Sequence, residues 1–188
     1  MRVISGTARG RNLKAVPGTS TRPTTDKVKE SIFSMIGPYF DGGIALDLFA
    51  GTGGLGIEAL SRGIDKAIFI DADRKAIETI QANLATVKFS EQAEVYRNDS
   101  FRALKRLATR SLKLDLVFLD PPYVIRNMDE VIAELQTLQL IDAHSIVIVE
   151  HDASFSYPEK IEQFTCTRRA DYGDIAISIY RYLNEQGE

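Results

Sequence analysis

The sequence predicts an α/β fold: a mostly parallel, seven-stranded sheet covered by helices and ending in an antiparallel hairpin. Three observations carry that expectation. From Ile44 onward, short apolar runs of strand length alternate with segments of helical apolar spacing. A glycine-rich turn, Gly51-Thr52-Gly53-Gly54-Leu55-Gly56, joins the first such run to the helix behind it. Late in the chain the alternation stops, and two strand-like runs, 163–170 and 175–182, flank Asp171-Tyr172-Gly173-Asp174.

Taken in order, residues 1–20 are expected to form a small hairpin. Arg2-Val3-Ile4 and the run 13–16 flank Gly6-Thr7-Ala8-Arg9-Gly10, and Pro17-Gly18 closes the segment. A helix is predicted over 26–36, where Val28, Ile32, Met35 and Ile36 share one face and Gly37-Pro38 stops the pattern. Predicted strands cover 44–49, 66–70, 94–96, 114–119 and 145–149, with helices over 54–62, 74–87, 100–109 and 128–138. No repeat or low-complexity tract marks a second full domain. The expected organisation is a basic extension over 1–20 and one domain over 21–188.

Composition narrows the function classes. With 188 residues, 44% of them hydrophobic, the chain is large enough for one sizeable core. No apolar run approaches the roughly 20 residues that cross a bilayer, and the first residues lack a secretory h-region. Cys166 is the single cysteine, so no internal disulfide forms, and the expected location is the cytoplasm. Cys166 itself is expected to pack in the final hairpin. A monomer with no membrane partner is the expectation. Net charge is only −3, but its distribution is uneven. Residues 1–40 hold seven bases against two acids, a local +5; the remainder holds 16 bases against 24 acids. A basic arm on an acidic body suits contact with phosphates, although the same charges also suit a merely solvated hairpin. Arg9, Arg11, Lys14 and Arg22 are the candidate side chains for contacting nucleic-acid phosphates.

The glycine turn follows Leu46-Asp47-Leu48-Phe49-Ala50. Gly51-x-Gly53-x-x-Gly56 also satisfies the dinucleotide fingerprint, so the spacing alone does not choose a ligand. Charge does. A pyrophosphate at this turn would be repelled by Asp47, whereas S-adenosylmethionine carries a sulfonium and an ammonium. The competing role for Asp47 is to cap a loop amide. Asp71 lies 20 residues after Gly51, the spacing of an acid that accepts from both ribose hydroxyls, with Asp73 more suited to the following helix N-terminus. Asp99 and Ser100, after the third strand, either meet the adenine or start the next helix. The candidate cofactor-binding set is therefore Asp47, Phe49, Ala50, Gly51, Thr52, Gly53, Asp71, Asp99 and Ser100.

Asp120-Pro121-Pro122-Tyr123 ends the fourth strand. Two prolines cannot continue a ladder, so they make a stiff exit. The amine of a nucleobase is a poor nucleophile because its lone pair is delocalised into the ring. A carboxylate and a proline carbonyl that accept its N–H bonds localise that lone pair, and Asp120 with the carbonyl of Pro121 has that chemistry. Pro122 stiffens the turn, and Tyr123 offers a face for an extruded base. His144 and His151 lack ligand spacing, so no metal is implied.

In these motifs the chain resembles the RsmD family of bacterial 16S ribosomal RNA guanine-N2 methyltransferases. The likeness spans the whole length. It includes Arg2-Val3-Ile4-Ser5-Gly6, Gly10-Arg11, Arg22-Pro23-Thr24-Thr25-Asp26-Lys27-Val28-Lys29-Glu30-Ser31-Ile32-Phe33, the two motifs above and a late Tyr172-Gly173-Asp174. The glycine and Pro-Pro motifs are common to many amino-methyltransferases; the N-terminal pair points to this family. The resemblance implies a Rossmann-like class I methyltransferase fold, S-adenosylmethionine as donor and S-adenosylhomocysteine as product. It implies one guanine of 16S ribosomal RNA as acceptor, modified in an assembling small subunit. Asp71 stands where many relatives use glutamate. Arg22-Pro23-Thr24-Thr25 either starts the helix or closes over the cofactor. The rival functions are transfer to adenine N6 or cytosine N4 of RNA or DNA, a non-catalytic RNA-binding assembly factor, and a nicotinamide-dependent oxidoreductase.

Overall fold

The computed structural model describes residues 1–18 and 24–184, so Arg22 lies outside the described residues. The chain forms two compact units, Met1–Ser100 and Phe101–Glu188.

The first unit opens on a chain reversal. Val3 N–H donates to the Arg11 carbonyl (2.9 Å), Gly10 to Val3 (2.8 Å) and Leu13 to Met1 (2.9 Å). The expected hairpin is therefore present as a turn, but its return arm is 11–13 rather than 13–16. A single Arg2–Asn12 bridge replaces a ladder. The reason is packing: Val3, Ala8, Leu13 and Val16 are all buried, so the segment lies on the body instead of standing as a free hairpin. Helix α1 (Asp26–Ile36) starts at Thr25, whose hydroxyl accepts from Val28 N–H at 3.3 Å. That settles the helix-starting role for Thr25. Strands β1 (Ile44–Asp47), β2 (Lys66–Asp71) and β3 (Ala93–Arg97) are parallel in the order β3-β2-β1, with Leu46 opposite Ile68 and Ile68 opposite Glu94. Helices α2 (Gly54–Ser61) and α3 (Arg74–Val87) follow β1 and β2. Every residue of α2 is buried, which its mostly apolar sequence permits.

The second unit contains most of α4 (Ser100–Ala108), then β4 (Leu116–Leu119) and α5 (Met128–Thr137). Ala103, Leu104 and Leu107 of α4 are buried, while Arg102, Lys105 and Arg106 are exposed, a solvated basic face. Strand β5 (Ile146–Asp152) is parallel to β4 and antiparallel to β8 (Ile175–Tyr182). It is longer than predicted: Glu150, His151 and Asp152 pair with Ile177, Ala176 and Ile175 of β8, so the ladder carries the strand through polar residues. Strand β7 (Phe164–Tyr172) pairs with β8 as the expected hairpin, and half-buried Cys166 sits at its bulge. A short strand, β6 (Lys160–Ile161), pairs with β7 and raises the described strands to eight rather than seven. Two residues are too few for any periodicity to announce. No helix among the described residues is long and apolar enough to cross a membrane.

Candidate active site

The glycine turn in the first unit is built on backbone bonds. Ala50 N–H donates to the Ile70 carbonyl at 2.9 Å, and Gly53 N–H turns back to Ala50 at 2.7 Å. Gly51 has φ +56°, and a Cβ there would meet nothing within 4 Å. The turn therefore presents open space to a ligand at a position where side chains are disfavoured. Gly56 is different: its Cβ would lie 2.4 Å from the Phe69 ring, so this glycine serves close packing of α2 on β2. Thr52, between them, receives the Asn83 amide on its carbonyl at 2.9 Å.

Two of the predicted acids are committed to this turn. Asp47 is 2% exposed, and its Oδ2 accepts the Gly56 N–H at 3.0 Å. Capping a loop amide is thus part of the role of Asp47, with the amide belonging to the first turn of α2. Burial drives its pKa up to about 7; the Gly56 N–H opposes that rise, and the negative charge of Asp71 adds to it. Asp71 holds both ends of its own turn. Its Oδ2 accepts Gly51 N–H and its Oδ1 accepts Asp73 N–H, each at 2.9 Å. Asp73 caps α3 by accepting Lys75 N–H at 3.0 Å, as its sequence position suggested. Asn98 N–H donates to the Asp71 carbonyl at 3.0 Å, which brings the Asn98-Asp99 turn to the end of β2. Asp99 is exposed there; Phe49 and Ser100 are half-buried and Ala50 is buried.

The donor set around this turn is made of carboxylates and backbone groups. Such a set suits a ligand with cationic groups and hydroxyls and disfavours a pyrophosphate, so the residues present fit S-adenosylmethionine better than a dinucleotide.

In the second unit, Asp120 follows β4 and Pro121 is buried. Ile125 N–H closes a turn onto the Pro122 carbonyl at 2.9 Å. The Pro121 carbonyl accepts no backbone bond among the described residues, so of the two proline carbonyls it is the one left to receive a donor. Tyr123 is 45% exposed and Val124 90% exposed, a large apolar face turned to solvent next to that carbonyl.

Residues 1–181 match the family described as Conserved hypothetical protein 95. YlbH of Bacillus subtilis, named as a candidate rRNA methyltransferase, is 52% identical over 96% of this chain and 98% of its own length. Ribosomal RNA small subunit methyltransferase D of Escherichia coli K12 is 32% identical over 100% of this chain and 92% of that protein. The chain belongs to the RsmD family. A solved structure of a methyltransferase candidate from Escherichia coli, YhhF, superposes with a TM-score of 0.82 at 32% identity, covering 98% of this chain and 99% of that one. The fold is accordingly the Rossmann-like α/β fold of methyltransferases.

Two features of this RsmD-family chain went unread in the sequence. The first is a buried charge cluster. Glu58, in the middle of α2, is fully buried and accepts from Ile4 N–H (3.0 and 3.2 Å), Ser5 N–H (3.1 Å) and Arg62 Nε (2.9 Å). Lys29 Nζ lies 3.5 Å from it and donates to the Arg2 carbonyl; burial lowers the Lys29 pKa, against the pull of Glu58. The basic N-terminal arm is thereby fastened to the helix behind the glycine turn. Asn83 makes a second fastening: it exchanges hydrogen bonds with the Lys14 backbone (2.7 and 3.0 Å) while holding Thr52. Arg9, Arg11 and the Lys14 side chain remain exposed. A glutamate inside an otherwise apolar helix was the signal available for this cluster. The second feature is a cleft in the second unit, reaching from Pro121 and Tyr123 to the end of β5. Its signal was the run Glu150-His151-Asp152 closing a core strand.

Proposed function

We propose that the protein transfers a methyl group from S-adenosylmethionine to the exocyclic N2 amine of one guanine in 16S ribosomal RNA. The observation that carries this reading is the Asp120-Pro121-Pro122-Tyr123 exit from β4, with an unclaimed Pro121 carbonyl and an exposed aromatic face, in a chain related throughout its length to rRNA methyltransferases.

The cofactor, when bound, supplies an electrophilic methyl on sulfur. Asp71 and the Gly51 turn would hold its nucleoside portion, Asp99 and Ser100 would meet its adenine, and Asp47 would balance its positive charge. Asp120 and the Pro121 carbonyl accept the two N–H bonds of the guanine amine, which localises its lone pair. As the N–C bond forms, the amine must lose one proton. Asp120 accepts that proton and passes it to water. Tyr123 stacks the extruded base. Arg9, Arg11, Lys14 and Arg22, in a basic extension over 1–20 and just beyond it, contact phosphates and fix register without choosing the base. The substrate is the RNA of an assembling small subunit in the cytoplasm, and the enzyme acts as a monomer.

The test is tritium transfer to small-subunit RNA, protein-free and assembled, followed by nucleoside analysis and mapping. N2-methylguanosine at one position is the expected product. Label only in N6-methyladenosine or N4-methylcytidine, or no label at all, overturns the proposal.

A further inference from the structure

We propose that Asp152 reads the N1–H of the acceptor guanine, making it the residue that selects guanine over the other amino-bearing bases. The assignment rests on the function proposed above and deepens it.

The cleft that begins at Pro121 and Tyr123 is walled by Arg126, Asp152, Phe155 and Tyr157. Asp152 ends β5, and its two oxygens differ. Oδ1 accepts both the Ser154 N–H (2.8 Å) and the Ser154 hydroxyl (2.6 Å). Oδ2 accepts no hydrogen bond among the described residues, so the carboxylate is held by one oxygen and presents the other. The same Ser154 bonds hold the Asp152 pKa below its ordinary value, so it is a carboxylate at neutral pH.

The wall behind it is rigid. His151 Nδ1 lies 2.9 Å from the Asp152 carbonyl, which can only accept, so Nδ1 carries the proton and Nε2 accepts from the Ser178 hydroxyl at 2.8 Å. Burial pushes the His151 pKa down, in keeping with that neutral tautomer. Arg169 reaches across from β7 to the carbonyls of Ala153 (2.7 Å) and Phe155 (3.2 Å) and the Ser156 hydroxyl (2.7 Å). Phe155 and Tyr157 pack edge to face at 4.8 Å, and the Arg126 guanidinium lies 5.2 Å over the Phe155 ring. An acceptor oxygen, aromatic walls and a cation over one of them are the ingredients for holding a flipped base by its Watson–Crick edge.

Guanine alone among the amino bases carries a proton on the ring nitrogen next to its amine. Adenine N1 and cytosine N3 present a lone pair there, which a carboxylate repels. A base whose N2 amine is held at Asp120 and Pro121 presents N1 one carbon away, toward the cleft.

The experiment uses RNA carrying either guanine or 2,6-diaminopurine at the mapped target. Both have the 2-amine, but diaminopurine has a lone pair at N1. Wild type is expected to prefer guanine by about ten- to a hundredfold in kcat/KM. In Asp152→Asn, Ser154 keeps the amide oxygen in the Oδ1 place, which puts the N–H₂ where Oδ2 was. That variant should lose transfer to guanine, gain transfer to diaminopurine and lower the ratio by at least about tenfold, with S-adenosylhomocysteine affinity unchanged. A purely structural role would depress both purines together and leave the ratio alone. An unchanged ratio with guanine still methylated overturns the assignment of Asp152 only; absence of N2 transfer by the wild type overturns the proposed function as well.

Discussion

The glycine turn of the first unit and the Asp120–Tyr123 exit of the second treat their polar groups in opposite ways. Around the turn, Asp47 and Asp71 already hold backbone N–H groups of Gly56, Gly51 and Asp73. In the exit, the Pro121 carbonyl holds no backbone donor among the described residues and Tyr123 faces solvent. The first region uses its acids to shape a backbone; the second leaves one carbonyl, that of Pro121, without a backbone donor among the described residues. Under the proposed function, preorganised bonds suit the region that holds a cofactor, and an unclaimed carbonyl suits the region that receives an acceptor.

Removing the acceptor should break that comparison most sharply. Asp120→Ala is expected to lower methyl transfer by about a thousandfold or more, since under the proposed function it removes both the N–H acceptor and the proton's destination. S-adenosylhomocysteine affinity, measured by calorimetry, should stay within about twofold, because the proposed function gives Asp120 no part in holding the cofactor. Retention of more than about a tenth of the activity would show that the exit does no chemistry.

The next effect tests whether the first region is as rigid as its bonds imply. Glu58→Gln leaves Lys29 and Arg62 buried without their counter-charge and weakens the acceptor of the Ile4 and Ser5 N–H groups. Unpairing a buried charge in this way should cost about 3 kcal/mol, read as a fall in the urea midpoint. An unchanged midpoint would mean that the apolar residues of the N-terminal arm and its Asn83 bonds fasten it without help from the Glu58 charge.

The two regions also differed in how far the sequence disclosed them. Strand–helix alternation and the glycine turn were legible because periods of two and 3.6 and the need for positive φ leave local marks. Lys160–Ile161 and the Glu150–Asp152 extension of β5 were not, since pairing with β7 and β8 is a long-range fact. The acids near the turn were found, but for Asp47 spacing could not separate a ligand contact from a bond to Gly56. Glu58 escaped notice because its partners at positions 4, 5 and 29 are distant in sequence. The Asp120–Tyr123 run was visible as one contiguous motif, whereas the wall of the cleft at Pro121 and Tyr123 comes from residues about thirty positions later, near Asp152 and Phe155.

Asp47 sharpens the comparison through pH. Its folded pKa is raised to about 7 from an ordinary 3.8, so the protonated carboxyl is the form the buried site favours. The stabilisation it contributes is therefore complete below about 3.8 and is lost as pH rises through about 7. A cationic donor favours the carboxylate, so its binding must release a proton below that value. Affinity for S-adenosylmethionine should rise by up to about tenfold per pH unit until pH 7 and then level, with proton uptake by the buffer visible in calorimetry. Asp47→Asn should flatten the profile. A sloping profile in that variant assigns the titration to another group.

The smallest expected effect lies on the arm itself. Arg9 and Arg11 are exposed on a segment that the Glu58 and Asn83 bonds fix in place, so their positions are set while their charges remain free to act. Replacing either with alanine should weaken RNA binding only a few-fold and do so alike for guanine and diaminopurine targets, because phosphate binding carries no base information. The slope of log affinity against log salt should fall by about 0.7 for each phosphate that the variant no longer neutralises. The same pair of substitutions made in the Glu58→Gln background should have a smaller effect on that slope. With the Glu58 fastening weakened and only the Asn83 bonds and apolar residues holding the arm, its charges are spread over more orientations and fewer of them meet a phosphate at once. Equal slopes in the two backgrounds would mean that the arm binds as a flexible tether, and that its fastening to α2 serves stability rather than recognition.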